Sequence, residues 1–301
     1  MPLTREIRTI NEFNFQKPIR AIFSGSSQSG KTFLIGKMLE RQLQLFGDEF
    51  DMVKYFYPQY LEESPVNFHE TMDTPICYES GFPTKESVQS MPRNSLMIID
   101  DQFDEVLKSD LMSQIFKVIS GKKDLSIIVV TQNYFQQGKH ARDIRNSCNY
   151  VGLFRNCGDS SLNKRVAQCF GLKKAYEAAE RDLYAKMVYP YFFIDQTQRA
   201  QLSSYRLYTD ILGKIRICYD SNGMKGYIVD EQLFQLKFKI IQKHNRSVIA
   251  VERKENANKK RPIPKSIKRR KRKFSESKSS SAESTTASES YESDSEFDSD
   301  L

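Results

Sequence analysis

The chain has 301 residues, 39% of them hydrophobic, with 46 Lys and Arg against 38 Asp and Glu and a formal charge of +8. That allows one large α/β domain or two small ones with an ordinary core. Cys77, Cys148, Cys157, Cys169 and Cys218 include no C-x-x-C pair, and His69, His140 and His244 lie far apart, which speaks against a disulfide framework or a zinc site.

Residues 1–15 read as an N-terminal arm. Ile19–Ser24 follows as a buried strand, and Phe33–Leu39 continues as a helix. Between them lies Gly25-Ser26-Ser27-Gln28-Ser29-Gly30-Lys31-Thr32, which satisfies G-x-x-x-x-G-K-[ST] at every fixed position. A loop of this kind wraps a triphosphate with its backbone N–H groups, and its glycines allow the close approach. Lys31 is placed to reach the β- and γ-phosphates and Thr32 to hold Mg²⁺, at a helix N-terminus whose dipole favours anions. The cofactors expected are therefore ATP and Mg²⁺.

Met52–Tyr57 reads as a second strand, ended by Pro58. Residues 58–94 contain five prolines and little periodicity, and are expected to be a long irregular surface excursion. Ser95–Asp100 is a third strand, with a helix near 103–120. It ends in Asp100-Asp101, which supplies a carboxylate for the Mg²⁺ shell (Asp100, through water) and one for the attacking water (Asp101). Acids at a strand tip can also simply cap the next helix. Lys31 and Asp100 are far enough apart for another βα unit between them, the additional-strand arrangement of motor-type ATPases.

Leu125–Thr131 is a fourth strand, expected between the loop strand and the Asp100 strand. Gln132 at its tip is a candidate sensor that hydrogen-bonds the γ-phosphate or the attacking water. Asn149–Phe154 is a fifth strand, with helices near 160–170 and 173–186 and late strands at 191–195 and 205–208. An amphipathic helix is expected at about 230–244. The fold class expected is α/β, an additional-strand P-loop NTPase with a mainly parallel sheet flanked by helices, spanning 16–246. No transmembrane span, secretory signal or membrane partner is expected.

Gly25–Thr32, Ile98–Asp101, Thr131–Phe135 and Arg142–Asn146 occur in the order and spacing of the FtsK/HerA superfamily. Over residues 17–212 the chain most resembles DNA-packaging ATPases of Polinton-type elements, adintoviruses and large eukaryotic DNA viruses. The resemblance implies a homo-oligomeric ring, a hexamer or pentamer, that threads double-stranded DNA into a capsid and meets capsid or portal-like viral proteins. It implies the roles given above for Lys31, Thr32, Asp100, Asp101 and Gln132. It also implies that Arg145 acts near a neighbouring subunit's site. Two departures stand out: Lys122-Lys123 where relatives often carry Arg-His, and Asp101 where many motors use Glu.

Lys122, Lys123, Lys139, His140 and Arg142 group in sequence around the fourth strand, as a DNA-tracking set or a solvated basic rim. Residues 247–274 form a basic linker. Ten of its Lys and Arg fall within 259–274, suiting a nuclear import receptor and a host-nuclear location, possible also for a virion-associated protein. Residues 275–301 carry eight acids and eleven serines, and are expected to be a disordered acidic tail. Two other functions fit the same residues: a nuclear helicase or DNA pump of that superfamily, and an interaction protein switched by ATP without motor action.

Overall fold

The structure is a computed structural model that describes residues 7–9, 14–68, 74–197, 205–213 and 215–229, all within one unit, Met1–Ile241. The basic linker, the acidic tail and the helix expected near 230–244 lie outside the described residues.

Its strands are β1 (Ile7–Thr9), β2 (Arg20–Ser24), β3 (Met52–Tyr57), β4 (Ile76–Ser80), β5 (Ser95–Asp100), β6 (Leu125–Thr131), β7 (Tyr150–Phe154), β8 (Tyr191–Asp195), β9 (Tyr205–Thr209), β10 (Ile215–Asp220) and β11 (Lys225–Val229). The helices begin with α1 (Lys31–Leu39), α2 (Gln42–Phe46), α3 (Lys85–Ser90) and α4 (Phe103–Lys108). Next, α5 (Asp110–Gln114) runs through a π-helical stretch, Ile115–Ile119, into α6 (Ser120–Lys123). Last come α7 (Ala141–Ser147), α8 (Leu162–Cys169) and α9 (Lys173–Leu183).

All these strands join one sheet in the order β4-β3-β5-β6-β2-β7-β8-β9-β10-β11-β1. From β4 to β7 every pairing is parallel. From β7 to β11 every pairing is antiparallel, and β1 closes the row parallel to β11. β6 sits between the loop strand β2 and the acid-bearing β5, the additional-strand order.

Strand alternation sends side chains to two separate cores. Ile22, Met97, Ile99, Ile127 and Val129 pack under the helices from α4 to α9. Ala21, Phe23, Ile98, Ile128 and Val130 pack under α1 and α2. With both faces covered, the central strands carry near-continuous apolar runs, such as Ile127–Val130, and all seven residues of β6 are buried, Ser126 and Thr131 included. Each fully buried Ile or Val there contributes about 1.5–3 kcal/mol.

The segment 58–94 departs from its expectation. Ile76–Ser80 forms β4, which extends the sheet beside β3, and Thr84 caps α3 by accepting from the Ser87 N–H at 3.1 Å. Lys54 on β3 ties the two together, donating to Glu79 on β4 and to Ser90 on α3. The helix expected near 103–120 is divided at Ser109, whose hydroxyl accepts from the Met112 N–H and caps α5. The sheet also continues past the expected late strands into β10 and β11, and Ile7–Thr9 within the expected arm is a strand. Among the described residues no helix is long and apolar enough to cross a membrane.

Candidate nucleotide site

The loop Gly25–Thr32 leaves the C-terminal end of β2 and closes on the first turn of α1. Gly25 cannot carry a side chain, because a Cβ there would lie 2.6 Å from the Phe154 Cβ. Gly30 has φ +91°, the left-handed region that glycine enters without strain, and it sits at the N-cap of α1. The Gly25 N–H donates to the Thr131 carbonyl at 3.2 Å, and the Ser26 N–H to the Arg155 carbonyl at 3.3 Å. The loop is thus pinned between the tips of β6 and β7.

Lys31 is 8% exposed. Its Nζ donates to the carbonyls of Gly25 at 2.8 Å and Ser26 at 2.7 Å. Burial pulls the ammonium below the usual lysine value, while the charges of Asp100 and Asp101 act against that pull. Ser29 is buried, Ser26 and Thr32 are half-buried, and Ser27 and Gln28 are exposed.

The acids arrive from the neighbouring strands. Asp100 ends β5, and burial pushes its carboxyl above the usual range; the Tyr55 hydroxyl, donating to Asp100 Oδ2, opposes that shift. Asp101 follows in the turn with φ +51°. Gln132, just past β6, places Nε2 at 3.5 Å from Asp101 Oδ1. Lys31, Thr32, Asp100, Asp101 and Gln132 line one pocket of about 710 Å³ together with Ser27–Gly30. That volume suits a nucleotide.

Two residues the sequence reading did not single out belong to this site. Tyr55 holds Asp100, and its own ring is held edge-on by Phe68 at 5.7 Å and tilted against Tyr78 at 5.8 Å. Tyr189 lies against Gly30. Tyr55 sits in a buried strand and reads as core, and Tyr189 opens the late stretch Tyr189–Asp195, to which the sequence assigns no role at the pocket.

Arg145 is not brought to the pocket. Its Nε donates to the Tyr134 carbonyl at 3.0 Å, its Nη2 donates to the Gln136 carbonyl, and the guanidinium lies 5.4 Å from the Tyr134 ring. In this chain it braces the loop that follows β6. The basic group around β6 is also divided. Lys139 and His140 both meet Asp110 at the start of α5. Lys123, the last residue of α6, donates to the Val88 and Gln89 carbonyls of α3. The continuous helical run between these two points is about 20 Å long at ~1.5 Å per residue.

No family model and no curated protein matches the chain. Among solved structures, the genome packaging NTPase B204 of Sulfolobus turreted icosahedral virus 2, in complex with AMP, is similar at 12% identity, with 61% of this chain and 94% of that one covered and a TM-score of 0.39. The ATPase DotB of Legionella pneumophila is similar at 14% identity, covering 48% and 43%, with a TM-score of 0.31. The flagellar accessory protein FlaH of Methanocaldococcus jannaschii is similar at 16% identity, covering 46% and 71%, with a TM-score of 0.33. The loop and the strand order carry the fold assignment without them: the described residues form an additional-strand P-loop α/β fold.

Proposed function

We propose that this chain is an ATP hydrolase that works as a homo-oligomeric ring, translocating double-stranded DNA to package a viral or transposon genome into a capsid. The observation that carries the hydrolase reading is the meeting of Lys31, Asp100, Asp101 and Gln132 around a single pocket. The residues fit a magnesium-bound triphosphate, since a side chain at Gly25 or Gly30 would crowd or strain the cradle and hydroxyl and carboxylate oxygens are the donors magnesium takes. Magnesium, when bound, neutralises charge on the phosphate oxygens.

The chain's own groups do the rest. Lys31 and the loop N–H groups hold the phosphates, and Thr32 and, through water, Asp100 would hold the magnesium. Asp101 takes a proton from the attacking water, which Gln132 orients through the contact the two share. Positioning and electrostatics then supply most of the acceleration.

The DNA-packaging part rests on the motif order shared with packaging ATPases. Capsid or portal-like proteins as partners follow from that resemblance. Host-nuclear location and an import receptor follow from the basic run at 259–274.

The test is ATP turnover by the full chain with and without duplex DNA. Stimulation by DNA supports a motor; turnover indifferent to DNA favours an ATP-switched interaction protein. Strand displacement on forked DNA favours a helicase. Lys31→Ala abolishes turnover, and Asp101→Asn binds ATP without hydrolysing it. Normal hydrolysis by Asp101→Asn would remove that residue from its role.

A further inference from the structure

The phosphate cradle has a direction. Asp100, Asp101 and Gln132 come from β5 and β6, on one side of β2. The hydrolysed end of a bound triphosphate therefore points that way. Its other end points across Gly30 toward the opposite side, where β7 and β8 continue the sheet.

A second, apolar cavity of about 260 Å³ opens on that side. It shares Gly30, Phe33 and Tyr189 with the larger pocket, and its walls include Phe154, Val188 and Leu212. Its size is below the ~300–1,000 Å³ of pockets for drug-sized ligands and suits a single heterocycle. Three of these side chains are far more exposed than soluble cores allow: Phe33 at 62%, Val188 at 84% and Tyr189 at 53%.

The walls are held in place. A Cβ at Gly30 would meet the Tyr189 Cβ at 3.2 Å, so the Tyr189 side chain packs directly on the end of the cradle. The Leu212 carbonyl accepts from the Arg41 guanidinium at 2.5 Å, fixing the far wall to the segment just after α1. The Tyr191 hydroxyl accepts from the Ile211 N–H at 3.2 Å and anchors the same loop to β8.

We propose that Tyr189 and Phe33 form the platform for the nucleobase, with Val188 and Leu212 closing the cavity around it. This rests on the proposed nucleotide site and adds the residues that make it a nucleoside triphosphate site rather than a polyphosphate site. An aromatic ring offers its face to a base, and removal of one such ring weakens binding by about tenfold or more. The exposed apolar side chains then have a use that neither solubility nor the core gives them.

The experiment is calorimetry on the full chain with two probes, magnesium ADP and magnesium tripolyphosphate, the second carrying no base. Tyr189→Ala is expected to weaken ADP about tenfold and to leave tripolyphosphate within about twofold. Tyr189→Phe keeps the ring and is expected to bind ADP as the parent does. The proposal is overturned if Tyr189→Ala leaves ADP unchanged. It is equally overturned if both probes weaken together, since the ring then only buttresses Gly30, or if Tyr189→Phe loses as much as Tyr189→Ala. A parent chain that binds neither probe instead refutes the nucleotide site itself.

Discussion

The Tyr55 hydroxyl donates a hydrogen bond to Asp100 Oδ2 from the adjacent strand. That bond favours the ionised carboxylate, against burial that favours the neutral acid. Tyr55→Phe keeps the ring between Phe68 and Tyr78 and removes only the hydroxyl. Groups that orient a metal ligand are worth about 10–100-fold in metal affinity or activity. Titrating ATP hydrolysis with Mg²⁺ should show a loss of that order for Tyr55→Phe, with metal-free nucleotide binding preserved.

Gly30 combines a positive φ with the close approach of Tyr189. Gly30→Ala therefore strains the backbone by about 1–3 kcal/mol and pushes on the aromatic ring. The expected outcome is lower stability in urea together with lost nucleotide binding. Gly47, at φ +76° with nothing within 4 Å, is the control: Gly47→Ala costs strain and leaves binding intact.

Arg145 caps two backbone carbonyls of the loop after β6. Arg145→Ala leaves them without that partner, a loss of about 1–3 kcal/mol. Thermal melting should fall along with ATP turnover. An arginine acting only across a subunit boundary would lower turnover in the assembled ring and leave the melting temperature where it was.

Lys54 is buried and joins β3, β4 and α3 through Glu79, Ser87 and Ser90. Burial works against the Glu79 charge, but hydrogen bonds from Lys54 and Ser87 outweigh it and hold the carboxyl below its usual range. The stability this confers is present above the ordinary carboxylate range and is lost as pH falls through the lowered folded value. Lys54→Met should cost about 1–3 kcal/mol at neutral pH through the lost charged hydrogen bonds, and its denaturation midpoint should fall less steeply on acidification than the parent's.

The site was more legible than the sheet that carries it. Gly25–Thr32, Asp100, Asp101 and Gln132 announce themselves because phosphate and metal chemistry restricts residue type at fixed spacing. The central strands read as strands because both faces are buried, which gives β6 the unbroken apolar run Ile127–Val130. β4 was hidden because only one of its five residues is buried, so Cys77-Tyr78-Glu79 shows no apolar run. β10 carries the fully buried Arg216 near its start, a residue that reads as surface. Tyr55 and Tyr189 were missed for a different reason: their roles depend on which strand or loop folds beside them, and spacing along the chain does not encode that. The basic residues near β6 show the converse, since neighbours in sequence were carried to opposite ends of one helical run.

Lys31 already rests on the Gly25 and Ser26 carbonyls. Its ammonium has therefore been stripped of most hydration by folding alone, before any anion approaches. A phosphate arriving at the proposed site would exchange places with two carbonyl oxygens, so capture there would be a swap of acceptors within a fixed shell. Recognition of this kind would release little water at the lysine, because the dehydration is completed when the chain folds.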